Sequence, residues 1–232
     1  MIKKITRKSM LIRPSGRSTD FISPSFGYGC LYNCSYCYMK RHKDKGLDVA
    51  TNTGDILTAV NNHAFFTPVD KPNQTHAEFT TYDISCNEDF ALHAKHHEWE
   101  KTFEFFRDHP VAMASFATKY VNYNLLSFNP EGKIRIRFSL MPQHKSDLHE
   151  PKTSKIIDRL QAIDKFIDAG YDVHVNYSPI IVYNRWLEDY KDLFNMVNTY
   201  VKNKDKVLSE CIFLTHNFKK HTVNLGKHPE TE

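Results

Sequence analysis

The chain has 232 residues, of which 41% are hydrophobic, 13% aromatic and 25% charged. At the usual ~150 residues per domain this predicts one domain with a modest extension, and it argues against a tandem array or a largely disordered chain. The 31 Lys and Arg against 27 Asp and Glu leave a net charge of +4, too small to imply a nucleic-acid partner by itself.

The first twenty residues hold Lys3, Lys4, Arg7, Lys8, Arg13 and Arg17 and no acid before Asp20. MIKKITRKSM lacks the apolar stretch of a secretory signal, and no run of about 18 apolar residues is found, so a soluble cytoplasmic protein with no membrane partner is expected. A short strand is predicted at Asp20–Ser23. The segment SPSFGYGCLYNCSYCYMKRH follows, with Cys30, Cys34 and Cys37 in a C-x3-C-x2-C pattern. Five cysteines in all, with no export signal, fit a disulfide framework poorly. A structural zinc site normally closes with four protein ligands, and no second Cys or His pair supplies the fourth. An iron–sulfur cubane on three thiolates instead leaves one iron open to a small molecule. A zinc or plain packing role is the alternative. Gly27 and Gly29 are expected to let the backbone wrap the centre closely. Lys40, Arg41, His42, Lys43 and Lys45 form a second basic cluster, broken only by Asp44.

Further along, a helix is predicted at Asp55–His63 and a strand at Ala77–Ile84, followed by Cys86. A helix at Asp89–Phe106 carries His93, His96 and His97, which lack a metal-site glutamate spacing and are expected to be solvated. Strands at Val111–Thr118 and Lys133–Ser139 come next; the second alternates Ile134, Ile136 and Phe138 with basic residues, which predicts one buried and one polar face. The best-marked helix spans Thr153–Ala169, with an apolar stripe of Ile156, Ile157, Leu160, Ile163, Phe166 and Ile167. Thr153 or Ser154 is expected to cap it and Gly170 to end it. A strand at Asp172–Ser178, a helix at Trp186–Lys202 and a strand at Leu208–Thr215 complete the chain, with Cys211 read as an inert apolar residue.

Six strands with crossover helices predict an α/β fold, a partial (β/α)6 TIM-like barrel whose chemistry sits at the C-terminal mouth of the strands. The cysteine loop, Cys86, Lys119, Ser139, Ser178 and His216 would line that mouth. Residues 21–218 are assigned to the barrel, 1–20 to a basic N-terminal extension and 219–232 to a short tail.

The cysteine spacing, with an aromatic residue just before Cys37, resembles the radical S-adenosylmethionine superfamily. Its members chelate the methionine moiety of S-adenosyl-L-methionine on the open iron of a [4Fe-4S] cluster held by three cysteines. ISCNEDFALH around Cys86, FATKY around Lys119, RIRFS ending at Ser139, HEPKTS near Glu150 and DAGYDVHVNYSPI resemble, in order, the spore photoproduct lyase family. Trp186, Tyr190, Leu193 and Phe194, and FLTHNF around His216, extend the likeness from about Phe21 to Phe218. The resemblance implies a 5′-deoxyadenosyl radical that abstracts hydrogen from a thymine photoproduct in DNA, with Cys86 quenching the product radical. Tyr36 and Tyr38 would relay the hydrogen back to the cofactor, and Lys119 and Ser139 would bind it. A thiol S–H and a phenol O–H are similar in strength, so such a chain moves one hydrogen with little loss. An electron donor such as a flavodoxin or ferredoxin is implied as well.

Two departures stand out. Only 29 residues precede Cys30, and Asn87 and Glu88 follow Cys86 where that family tends to carry small hydroxyl residues. The N-terminal basic run with Lys219 and Lys220 could grip phosphates. Modification of another nucleobase or of a peptide is an alternative within the same chemistry, and a non-catalytic metal-binding module that binds nucleic acid is one outside it.

Overall fold

The computed structural model describes residues 1–213, apart from 17, 44–45 and 67–69, together with 218 and 222. The chain runs β1 (Ile2–Ile5), β2 (Arg13–Pro14), β3 (Phe21–Ile22), β4 (Gly27–Cys30), β5 (Gly46–Ala50), α1 (Thr53–Phe66), β6 (Thr80–Asp83), α2 (Phe90–His93) and α3 (Trp99–Asp108). It continues through β7 (Ala112–Thr118), β8 (Ile134–Leu140), α4 (Gln143–His149), α5 (Ile156–Asp168), β9 (Asp172–Ile180), α6 (Trp186–Tyr200) and β10 (Leu208–Phe213).

The main sheet has the order β10-β9-β8-β7-β6-β3-β2, parallel except for the antiparallel β2–β3 pair. The six predicted strands are therefore the six parallel ones. Laid flat, β3 and β10 would stand about 24 Å apart at ~4.8 Å per strand. Yet Ser18, three residues before β3, donates a hydrogen bond to the Glu210 carboxylate on β10. Three residues span at most about 11 Å, so the sheet curls back towards its own edge, as a partial barrel does.

Side-chain alternation sorts the sheet's two faces. Tyr82, Ala114, Phe116, Ile134, Ile136, Phe138, Val173 and Val175 pack in one core with Ile56 and Val60 of α1, Phe103 and Phe106 of α3, Leu160, Ile163 and Phe166 of α5, and Tyr190 and Leu193 of α6. Asp83, Ser115, Arg135, Arg137, Ser139 and Asn176 take the alternate positions. The expected polar face of β8 is thus present, but all seven β8 residues are buried. Arg135 Nε pairs with Asp172 Oδ2 at 2.7 Å and Arg137 Nη2 with Asp83 Oδ2 at 2.8 Å, which is what makes burying two guanidinium groups tolerable.

The structure revises several other expectations. The long helix after Cys86 is two helices: α2 tightens into a 3₁₀ turn at Ala94–His96, His97 is extended, and α3 restarts at Trp99. This break lets the His97 ring stack on Phe90, with centroids 5.1 Å apart. α5 begins at Ile156 without a side-chain cap from Thr153 or Ser154. Those hydroxyls serve Arg159 and the Val121 amide instead, and the Ile156 amide is taken by Gln143 Oε1 at 2.7 Å. Gly170 does end α5 in the left-handed region, at φ +91°. Between β7 and β8 the crossover is a 3₁₀ turn at Tyr123–Ser127 rather than an α-helix. Cys211 is exposed on the edge strand rather than packed as an apolar residue.

A second sheet, β1-β5-β4, was not expected; in it β1 runs parallel and β4 antiparallel to β5. It delivers Cys30 at the end of β4. Residues of the basic N-terminal segment are thereby bonded into both sheets, through β1 and β2. Among the described residues no helix is long and apolar enough to cross a membrane.

Candidate active site

The cysteine loop starts where β4 stops. Gly29 sits at φ +104°, and a Cβ there would lie 2.3 Å from the Gly46 carbonyl oxygen, so only glycine lets β4 and β5 meet at this corner. A Cβ on Gly27 would fall 2.3 Å from the Glu88 carboxylate. What approaches these two glycines is neighbouring protein, the Gly46 backbone at Gly29 and the Glu88 side chain at Gly27. Beyond Cys30 the loop turns tightly, with the Cys37 amide donating to the Cys34 carbonyl at 3.1 Å. α4 steadies it from the far side: the Ser35 amide donates to the His149 carbonyl at 2.8 Å, and Ser35 Oγ meets His149 Nδ1 at 2.9 Å.

Cys30, Cys34 and Cys37 are free thiols close enough to influence one another electrostatically. Burial, aided by Asp89 at Cys30 and opposed by Lys119 at Cys34, pushes both of those thiols up to about 12. Thiolates there need a positive partner, and an iron–sulfur centre supplies one. Among the described residues no three His, Cys, Asp or Glu side chains are grouped to hold a single metal ion. A cubane offers each thiolate its own iron, so its ligands stand wider apart than those sharing one ion. Three soft sulfurs on one turn fit such a cluster, and Tyr32 adds a backbone N–H to Cys30 Sγ at 3.4 Å.

Cys86 follows the end of β6, and Tyr38 reaches it from the cysteine loop. Tyr38 Oη donates to the Cys86 carbonyl and lies 3.8 Å from Cys86 Sγ and 3.3 Å from Asn87 Oδ1. Arg13 Nη2, from β2, stands 3.9 Å from the same sulfur. Burial raises the Cys86 thiol, and Asp83 adds to this against the opposing effects of Tyr38 and Arg13. The group is thus held as S–H, the form that can donate a hydrogen atom.

Tyr36 points elsewhere. Its hydroxyl donates to Glu150 Oε1, and burial with the neighbouring Glu150 charge holds it well above the ordinary phenol range. Glu150 also takes Arg159 Nη2 at 3.1 Å and Ser146 Oγ at 3.1 Å on its other oxygen, and Arg159 and Glu150 are both fully buried. Lys119 Nζ lies 3.9 Å from Glu150 Oε1 and 5.9 Å from the Tyr36 ring centre. Asp89 fixes that corner: its carboxylate accepts from Leu92 N at 3.2 Å, Thr118 Oγ1 at 2.7 Å and Lys119 N at 2.8 Å. The structure therefore joins Tyr38 to Cys86 and Tyr36 to Lys119; among the described residues it gives no ring contact between the two tyrosines.

Ser139 is buried on β8, its carbonyl accepting Arg159 Nη1 at 2.6 Å. Ser178 lies near the C-terminal end of β9, towards the same end of the sheet. His216, Lys219 and Lys220 fall outside the described residues, as do Arg17 and Lys45.

Two of the three histidines, His93 and His97, were misjudged as solvated. His93 Nδ1 lies 2.9 Å and His97 Nε2 2.8 Å from Glu88 Oε2, with side-chain exposures of 0%, 3% and 0% for His93, His97 and Glu88. Burial works to raise the Glu88 carboxyl, but the attraction of His97 and the ring hydrogen bonds outweigh it and the net shift is downward. His93 Nε2 accepts the Leu31 amide at 3.3 Å, so this buried group sits directly behind the cysteine loop. Sequence reasoning also missed Arg13, Asp89 and the Glu150–Arg159 pair. Of these only Asp89 carried a local signal, as a helix N-cap.

Comparison with known proteins places this geometry. The chain is 29% identical over 198 residues to spore photoproduct lyase of Bacillus subtilis (strain 168), covering 83% of this chain and 55% of that protein. It is 24% identical over 223 residues to spore photoproduct lyase of Clostridium acetobutylicum, covering 91% and 63%. The chain thus spans less than two thirds of either relative. A solved spore photoproduct lyase complexed with dinucleoside spore photoproduct superposes with a TM-score of 0.86 at 24% identity, over 100% of this chain and 67% of that one. A double mutant with bound AdoMet and the same dinucleoside gives 0.87 at 22% identity with the same coverage. These likenesses establish the partial-barrel fold. The sequence model of the family described as spore photoproduct lyase matches residues 4–231, and with nearly the whole length matched, the chain belongs to the spore photoproduct lyase family.

Proposed function

We propose that this chain is a radical S-adenosylmethionine lyase that acts on a thymine photoproduct in DNA, with Cys86 as its hydrogen donor. The observation that carries the reading is the meeting of Cys86 with Tyr38, one residue from Cys37, at the mouth of the barrel. When bound and reduced by one electron, a [4Fe-4S] cluster with S-adenosylmethionine supplies the 5′-deoxyadenosyl radical that takes hydrogen from substrate.

The chain's own residues do the rest. Cys30, Cys34 and Cys37 would hold the cluster through three thiolates. The Lys119 ammonium, beside Cys34 and anchored through Glu150, would pair with the methionine carboxylate. Ser139, on the adjoining strand, would add a polar contact to the cofactor. Cys86 gives its S–H hydrogen to the thymine radical left once the dimer's methylene bridge has broken; a C–H bond forms and a thiyl sulfur remains. Tyr38 Oη can return a hydrogen atom to that sulfur across their 3.8 Å separation. Tyr36 would complete the return to the cofactor only by leaving Glu150. Arg13 and the basic N-terminal segment would meet backbone phosphates, and a flavodoxin or ferredoxin in the cytoplasm would supply the electron.

The test is turnover of dinucleotide spore photoproduct by anaerobically reconstituted protein with dithionite and S-adenosylmethionine. Two thymines per substrate with reuse of the cofactor are expected, and Cys86→Ala should divert the radical into side products. An intact cluster and bound cofactor without thymine formation would defeat the substrate assignment. Stoichiometric 5′-deoxyadenosine release would favour modification of another nucleobase or a peptide.

A further inference from the structure

Glu88 and His93 have no part in the hydrogen transfer, yet they are among the most deeply buried polar groups next to the cysteine loop. His93 Nε2 accepts the Leu31 amide at 3.3 Å, so its ring proton must lie on Nδ1, where it is donated to Glu88 Oε2 at 2.9 Å. His97 Nε2 donates to the same oxygen at 2.8 Å. Glu88 Oε1 is buried without a hydrogen-bond partner among the described residues. A fully buried carboxylate satisfied on one side only is costly to keep. Gly27, which has no Cβ to collide with it, gives it room under β4.

The two amides that follow Cys30 are treated differently. Tyr32 donates its N–H to Cys30 Sγ at 3.4 Å, whereas the Leu31 N–H is given to an imidazole. Hydrogen bonds to the sulfurs of an iron–sulfur centre stabilise its more negative, reduced state and raise its potential. An amide bound by His93 cannot do this, and a buried carboxylate nearby acts in the same direction. Reduction of a sulfonium demands a strongly reducing centre.

We propose that Glu88, acting through His93, is a positioning pair that withholds the Leu31 amide from the cluster and so keeps its reduction potential low. This rests on the cluster assignment made above. Glu88 fixes which ring nitrogen accepts, and His93 holds the amide. Because Glu88 lies two residues after Cys86, the same link ties the hydrogen-donor loop to the cysteine loop.

The test uses full-length wild type, His93→Leu, His93→Gln and Glu88→Gln, reconstituted anaerobically, assayed for iron and sulfide, and titrated redox-potentiometrically with detection by electron paramagnetic resonance. Equal loading is expected, with a less negative midpoint in His93→Leu and Glu88→Gln. His93→Gln, whose side-chain oxygen can accept the amide, should return towards wild type. Identical midpoints in all loaded proteins would overturn the proposal. Failure of the wild type to load at all would instead overturn the cluster assignment, and this proposal with it. Should His93→Leu not fold, amide exchange at Leu31 in the metal-free protein decides. Protection in wild type that is lost in Glu88→Gln supports the pair, and exchange in wild type as fast as in an exposed loop refutes it.

Discussion

The Tyr38 phenol lies 3.8 Å from Cys86 Sγ, while Tyr36, on the other side of Cys37, is bound to Glu150. The two tyrosines therefore have unequal tasks. Tyr38→Phe removes the only phenol that meets the Cys86 thiol among the described residues, and because Tyr38 is 40% exposed its loss should cost stability only about 1 kcal/mol or less. More 5′-deoxyadenosine should then be released per thymine formed, because the thiyl sulfur is no longer reset. Quantitative chromatography of both products checks this, and an unchanged ratio would remove Tyr38 from the return path.

Hydrogen-atom donation requires Cys86 as a thiol. Burial and Asp83 raise it above its ordinary value, so the thiol should persist through neutral pH and titrate only above the usual ~8.5. Alkylation of Cys86 by iodoacetamide, followed by peptide-resolved mass spectrometry, should reach half its maximal rate above that pH. A midpoint below it would mark a thiolate nucleophile, a different chemistry.

The buried Glu150–Arg159 pair supports both Tyr36 and Lys119. Arg159→Met should destabilise the protein by about 3–5 kcal/mol, since it leaves the fully buried Glu150 carboxylate without its cation. Urea unfolding followed by circular dichroism gives the number. A loss under 1 kcal/mol would show that Lys119 or solvent takes over the carboxylate.

Local patterns were readable from the sequence, and partnerships across the chain were not. Alternating residues such as Ile134, Ile136 and Phe138 marked β8, and the stripe from Ile156 to Phe166 marked α5, because period alone fixes which side is apolar. β1 and β4 have no such pattern: Lys3 and Lys4 interrupt one, and glycine fills half of the other. The cysteine spacing is a property of one turn and was plain. Glu88, His93, Arg13, Arg137 and Arg159 were not, since a charged residue is assigned to solvent unless its partner is known. Those partners lie as far away as Cys86 from Arg13 and Asp83 from Arg137. The pairing of Tyr36 with Glu150 rather than with Tyr38 is of the same kind.

The most direct test of the account is the electron paramagnetic resonance spectrum of dithionite-reduced, anaerobically reconstituted protein, recorded before and after adding S-adenosylmethionine. A [4Fe-4S] signal that changes when the cofactor binds is the predicted result, because three cysteines leave one iron open to it. A protein with no such signal, or a signal indifferent to the cofactor, would contradict it.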